Sequence, residues 1–531
     1  MSPRTRDILV VGALLAATAL YAAAGVKWAP HPFEDAAILM RYSKHVAEGH
    51  GIVWNVGEAP VDGATDFLFM MLLAGLARCG LSLETAVRAV GLAAHFATVA
   101  LVYAGVRRLY GAPRWMAVVS AGYLAVGPGL RYASAYFGTP LFVLLACTTW
   151  WLAIRLSREG ASLGVAAGFA LSGLVMGLIR PEGVLLAVLM LLAVVSARGL
   201  RGSGKAIACF VVVFGVLGGA YFAWHWSYFG HPLPNPFYKK GGGALHVGGL
   251  VSAVRGAARF LLPFSLAFAA ALRKRATARR IVFPLIPVAG FVAIWVLLSD
   301  EMNYLWRFQY AIQPIVLLAW PPLVMGVARE WRLPPLADLA RNQRVVLRLL
   351  AAMVFVGLLG YHHRMSRLPI QFTDGNYAVG TALRGYAEKG YTMAITEAGL
   401  IPLYSGWRAI DTWGLNDAWI AHHGGVTPDY LDRHKPHLII FHAYFSPQTP
   451  VPRETPWDDM VLGLRDYARE RGYVLAAVFG TSPYDTQHYY VRPGFADSAA
   501  LVATIRAVRY TSMSSGKPCF NYAMLRPIDA P

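Results

Sequence analysis

The sequence predicts a polytopic α-helical membrane protein of about eleven transmembrane helices with a C-terminal extracytoplasmic α/β domain. Three observations carry this prediction. Only 15% of the 531 residues are charged while 56% are hydrophobic, against about 25% charged in soluble domains. The mean hydropathy is +0.45. Apolar runs of membrane-spanning length recur up to residue 361 and then give way to runs of four to six residues.

About 20 apolar residues cross the ~30 Å hydrocarbon layer as a helix. Such runs lie near 8–26, 87–106, 115–133, 140–156, 161–179, 183–197, 207–228, 257–272, 281–298, 311–327 and 345–361. The first is expected to stay attached, because a chain with so many later spans is not a secreted protein with a cleaved signal. Phe67–Ala77 is the exception: eleven residues between Asp66 and Arg78 reach only roughly 17 Å, which predicts an interfacial or re-entrant helix.

Lys and Arg in short loops mark the cytoplasmic side. With the N-terminus inside, the inside loops hold twenty Lys/Arg against Asp7, Glu159, Glu330 and Asp338. That balance of +16 accounts for most of the chain's +19, so the basic excess reports topology and nucleic acid is excluded as a partner. Residues 27–86, 131–139, 180–182, 229–256, 299–310 and everything after about 362 then lie outside. The segments "TMAIT", "HLIIF" and "VLAAVF" alternate with helical patterns at 457–472 and 496–509, which reads as an α/β domain over 362–531 following a transmembrane module over 1–361. Cys79, Cys147, Cys209 and Cys519 form neither a disulfide framework nor a zinc spacing.

The outside loops carry the chemistry. Glu34 and Asp35 stand together in "HPFEDAAILMRYSKHVAEG", and a helix there gives Arg41 and Tyr42 a shared face with them. Acids in a first helical turn also serve as plain caps. "LIRPEGVLL" supplies Arg180 and Glu182, "HWSYFGHPLPNPFYKK" supplies Asn235, Tyr238, Lys239 and Lys240, and "DEMNYLWRFQY" supplies Asp300, Glu301 and Arg307. One membrane face bearing carboxylates with guanidinium and ammonium groups suits a reaction in which one group takes a proton while others hold a leaving phosphate.

The stretch "FEDAAILMRYSKHVAEGHGIVWNVGEAPVDGATDFLF" resembles the first outer loop of GT-C fold membrane glycosyltransferases that use polyprenyl-phosphate donors, most closely the bacterial terminal arabinofuranosyltransferases. Glu34, Asp35, Arg41, Tyr42, Gly49, Gly51, Asn55, Gly57, Glu58, Gly63, Thr65 and Asp66 fill that family's positions. "RPEG", "YFGHPLPNPFYKK", "WRF" and "GWRAIDTWGLNDAWIAH", the last with Asp411, Asn416 and Asp417, are also similar to family stretches. Two positions depart from it: Glu34 replaces the first of two Asp, and Gly138 stands where an acid is usual.

The resemblance implies inverting transfer of a sugar, a pentose such as arabinofuranose, from a polyprenyl-phosphate donor to a glycan, lipid or protein acceptor outside a bacterial cytoplasmic membrane. Asp35 is expected as general base, with Glu34 as its partner or as a second acceptor-binding carboxylate. Arg307 and Arg180, ahead of Lys239 and Lys240 with Tyr238, are expected at the phosphate, because a planar fork matches phosphate better than a point charge. Arg41, Tyr42, Asn55, Glu58, Glu182, Asn235, Asp300, Asp411, Asn416 and Asp417 are the substrate-binding candidates. No cofactor is required, although the Glu34–Asp35 and Asp300–Glu301 pairs have the oxygen ligands for Mg²⁺ or Mn²⁺. A transporter or flippase of lipid-linked sugars is the alternative, but the spans carry few ionisable residues, His95 being the main one.

Overall fold

The computed structural model describes residues 2–158, 162–240, 242–273, 275–332, 338–367, 374–512 and 517–525. Glu159 and Lys274, counted among the inside-loop charges above, lie outside them.

The membrane part begins with α1 (Pro3–Ala24), α2 (Glu34–Ala47), α3 (Phe67–Arg78) and α4 (Leu83–Tyr110). The Ser82 hydroxyl caps α4 by accepting from Thr85 N–H, and Gly111 ends it in the left-handed region at φ 60°. There follow α5 (Arg114–Ala125), α6 (Pro128–Ser134), α7 (Thr139–Leu156), α8 (Leu163–Ile179), α9 (Glu182–Gly202), α10 (Gly204–Val212) and α11 (Gly219–Phe229). A π-helical stretch over Val213–Gly218 joins α10 to α11 as one continuous crossing. The set is completed by α12 (Asn235–Lys239), α13 (Val247–Leu261), α14 (Ser265–Leu272), α15 (Arg275–Ala293), α16 (Gln313–Glu330) and α17 (Arg341–Ser366).

Among the described residues nine helices are long and apolar enough to cross a membrane, against the eleven expected. The two others have physical causes. Gly127, at φ 127°, and Pro128 break the run near 115–133 into α5 and α6. The run near 161–179 forms α8 of 17 residues, roughly 26 Å long and at the lower limit for a crossing. Residues 67–77 form the expected short helix, α3, which packs against α2.

Beyond α17 the C-terminal α/β domain, termed the outer domain after the side on which the charge balance predicts it, opens with α18 (Asp374–Leu383), β1 (Thr392–Ile395), α19 (Leu400–Ser405), β2 (Arg408–Asp411), α20 (Ala418–His422) and α21 (Pro428–His434). β3 (Leu438–Ala443), α22 (Pro456–Glu470), β4 (Val474–Ser482), β5 (Asp485–Val491), α23 (Ser498–Ala507), β6 (Thr511–Ser512), β7 (Lys517–Pro518) and β8 (Phe520–Asn521) follow. The main sheet runs β2-β1-β3-β5-β4-β8, with β1 parallel to both β2 and β3 and the remaining pairs antiparallel. A reciprocal cap between Thr455 and Asp458 starts α22.

One apolar core runs through both parts: Phe33, Ala37, Met40 and Trp54 of the first loop share a cluster with Leu400, Ile401, Trp407 and Ala409 of the outer domain. α2 lies at that junction, in contact with α3, α4 and α19.

Candidate active site

Six separate chain segments converge on one pocket of about 140 Å³, lined by Asp35, Asp66, Gly138, Arg180, Lys240, Glu301, Arg307 and Leu415 among others. Asp35 sits in the first turn of α2. Its Oδ2 accepts from Arg307 Nη2 at 2.6 Å. Arg307 is only 7% exposed, lies 3.9 Å over the Phe137 ring and 4.9 Å from Phe308, and has a buried Nε–H with no partner among the described residues. A guanidinium that lines a pocket is a fitting phosphate contact.

Backbone conformation aims these groups. Leu305 and Trp306, just before Arg307, and Tyr136, just before Phe137, all lie in the left-handed region at φ 52°, 56° and 66°. Side chains other than glycine hold that conformation only where surrounding contacts impose it, and such residues cluster at functional sites.

Arg180 forms the second cationic arm. Its Nε donates to Glu182 Oε1 at 2.6 Å and its Nη1 to Asp66 Oδ1 at 3.3 Å, and its guanidinium lies 4.8 Å from the Phe308 ring. Burial pushes the Asp66 carboxyl above the ordinary range, and the charge of Arg180 opposes that shift. Lys240 reaches Glu301 at 3.4 Å. Asp66 is the pocket acid that sequence reasoning left out of its site set, although its place in "GATDF" marked it. An acid at 138 has no room: a Cβ there would stand 2.9 Å from Phe69 Cδ1 and 3.2 Å from Asp66 Oδ2.

Several expected site residues lie elsewhere. Glu34, expected beside Asp35 as its partner, turns toward the outer domain, where its Oε1 accepts from Gly399 N and Leu400 N at 2.8 and 2.9 Å at the start of α19. Arg41 is buried and donates to Trp54 O at 2.9 Å, Trp407 O at 2.8 Å, Asn55 Oδ1 at 3.1 Å and Pro402 O. Asn55 pairs with both the N–H and the C=O of Ala409 in β2, and Glu58 pairs with Arg408. Tyr42 donates to Asn416 at 3.1 Å. These residues join the first loop to the outer domain and do not line the pocket.

Asp411 gathers the N–H groups of Trp413, Gly414 and Asn416 together with Asn416 Nδ2. Burial raises its carboxyl to about 6 in spite of those donors. Asp417 caps α20 and accepts from Tyr430. Lys239 lies 4.5 Å over Trp413 and donates to Gly424 O at 3.3 Å, and Tyr238 packs on His422 at 4.5 Å. Asn235 donates its N–H to Asp62 O at 3.0 Å, the Asp300 carbonyl accepts from Asn303 N at 3.1 Å, and neither residue lines the pocket. The loop before α20 does reach it, however, through Leu415. Gly63 permits that approach, since any Cβ there would collide with Asn416 Oδ1 and Tyr42 Oη.

The position of Glu34 has a pH consequence. Burial, then the charge of Glu397, raises its carboxyl to about 8 from 4.5. A carboxyl protonated more readily when folded stabilises the fold fully below about pH 4.5 and loses that contribution as pH rises through about 8. Glu34→Gln keeps the accepting oxygen without the titration. Its melting midpoint is therefore expected to stay flatter than wild type over that interval, and a parallel fall in both proteins would show that Glu34 does not couple domain docking to pH.

No curated protein matches the chain. Residues 363–495 match a family described as a Domain of unknown function (DUF8728). Among solved structures, ArnT from Cupriavidus metallidurans in the apo state is similar at 15% identity and TM-score 0.55, covering 94% of this chain and 99% of that one. The archaeal oligosaccharyltransferase AglB from Archaeoglobus fulgidus, in complex with an inhibitory peptide and a dolichol-phosphate, is similar at 12% identity and TM-score 0.54, covering 92% and 74%. The arabinofuranosyltransferase AftD from Mycobacteria is similar at 14% identity and TM-score 0.50, and 94% of this chain corresponds to 40% of that larger one. These three proteins share their fold with at least 92% of the chain, which therefore has the GT-C fold.

Proposed function

We propose that the protein is a membrane glycosyltransferase that moves a sugar from a polyprenyl-phosphate donor to an acceptor hydroxyl at the outer face of a bacterial cytoplasmic membrane, with inversion at the anomeric carbon. The observation that carries this reading is the pocket itself. A partly exposed carboxylate, Asp35, is paired with the buried guanidinium of Arg307, while Arg180 and Lys240, each held by carboxylates of its own, bring two more cations to the same pocket.

In this mechanism the acceptor hydroxyl gives its proton to Asp35 as its oxygen bonds to the anomeric carbon. The bond from that carbon to the phosphate oxygen breaks, and the lipid phosphate leaves with the electron pair. Arg307, Arg180 and Lys240 balance the developing charge, a task that requires no metal ion. The phosphate competes with Asp35 for Arg307, so donor binding frees the base at the moment it is needed. A pentose such as arabinofuranose is the proposed sugar, supported by the first-loop resemblance and by the likeness to AftD.

Radiolabelled polyprenyl-phosphate pentose incubated with the purified protein is expected to release free lipid phosphate only when an acceptor is present; no release with any pentose or hexose donor would overturn the reading. Arg307→Lys keeps the charge but loses the planar fork. Donor kcat/KM is expected to fall roughly tenfold or more while Thr139→Ser stays near wild type. Equal activity of Arg307→Lys would leave the residue as an ion-pair partner of Asp35 alone.

A further inference from the structure

A second cavity, of about 550 Å³, lies at the opposite ends of the same helices. α7 and α9 begin beside the catalytic pocket, at Gly138 and Glu182, and end beside this cavity, at Ser157 and Ala197. The 18 residues of α7 separate the two by roughly 27 Å, close to the thickness of the hydrocarbon layer.

The cavity has an apolar floor and a basic rim. Trp150, Ile154, Phe283 and Leu323 line its interior, and the exposed Arg158, Arg279 and Arg280 stand at its edge. Among the described residues its lining contains no Asp or Glu and none of these three arginines is paired with a carboxylate, although Arg158 donates to Leu109 O. Trp150 is 1% exposed and packs on Phe283 at 4.7 Å, which makes the floor a closed aromatic surface.

We infer that this cavity binds an anionic glycerophospholipid of the leaflet opposite the catalytic face. Its acyl chains lie against Trp150, Ile154 and Phe283, and its phosphate sits among Arg158, Arg279 and Arg280. The combination matches such a lipid on each count. Guanidinium forks suit a phosphate diester, the rim lies at headgroup depth, and the floor has room for a chain that a soluble anion would leave empty. A zwitterionic lipid gains less, because its ammonium would meet three uncompensated cations.

The full-length protein, stripped of lipid in detergent, can be titrated with phosphatidylglycerol, phosphatidylcholine or inorganic phosphate and its bound species counted by native mass spectrometry. Phosphatidylglycerol is expected to bind roughly tenfold or more tightly than phosphatidylcholine, and Arg279→Gln with Arg280→Gln to remove that preference. Arg341→Gln with Arg344→Gln, in a basic segment remote from the cavity, should leave it intact, and so controls for general attraction of anionic lipid to this face. The inference is overturned if both lipids bind equally, if the Arg341/Arg344 pair has the same effect as Arg279/Arg280, or if inorganic phosphate displaces the lipid at equal concentration.

Discussion

Asp35→Asn is expected to lower sugar transfer at least a hundredfold, within the ~10²–10⁴ range general-base catalysis supplies, while the protein folds and inserts normally. The substitution is nearly isosteric, and because Asp35 lies inside the first turn of α2, after the cap residue Phe33, only its charge beside the helix N-terminus is lost there, at ~0.3–1 kcal/mol. The asparagine amide oxygen still accepts from Arg307 Nη2, which stands 2.6 Å from the present carboxylate. What it cannot do is take the acceptor's proton. Because Asp35 is 26% exposed and Arg307 only 7%, loss of the negative charge leaves a buried cation less compensated, at about 1–2 kcal/mol after solvent screening. Melting curves read that part and turnover reads the rest. Activity within a fewfold of wild type would make the pair a structural salt bridge and remove Asp35 from the chemistry.

Arg41→Met is expected to have the largest effect on stability. Arg41 is 3% exposed, donates to three backbone carbonyls and Asn55, and stacks 4.6 Å from the Trp54 ring. Methionine fills much of the volume but leaves buried acceptors without donors. At about 1–3 kcal/mol for each group left unsatisfied, the loss is on the order of 3–5 kcal/mol, enough to release the outer domain from the first loop. Arg41→Lys should rescue little, because one ammonium cannot reach acceptors spread around a planar fork. Proteolysis near residues 400–410 should accelerate in both variants. A folded Arg41→Met protein with only a raised KM would return the residue to the substrate.

These two residues show what was legible. The helical membrane part, the short helix at 67–78 and the strands at 392–395, 438–443 and 474–482 could be read from hydrophobic run length and period, since those patterns reflect burial directly. The broken run near 115–133 was not visible as a break, because Gly127 and Pro128 sit inside an otherwise continuous apolar stretch. At the site, Asp35, Arg180, Lys240 and Arg307 were legible as charges at one membrane face that need a reason to be there. The polar positions of the first loop were equally specific in sequence, but Arg41, Asn55 and Glu58 bond to segments more than 340 residues away. A sequence motif does not distinguish a side chain that meets substrate from one that meets another part of the same chain. Glu34 and Asp35 make the point most sharply: adjacent on one helical turn, they face different partners, Gly399 and Arg307.

The lock around Arg41 also sets a timetable for biosynthesis. Its acceptor on Trp407 is made 366 residues later, which at ordinary elongation rates of ~5–20 residues per second is a delay of roughly 20–70 s. Throughout that interval the nascent first loop lacks its acceptors on the later domain, and Leu415 has yet to close one side of the pocket. A ribosome-bound intermediate that already carries every transmembrane helix therefore still lacks one wall of the pocket, and its Arg41 and Asn55 are without the partners they have in the finished fold.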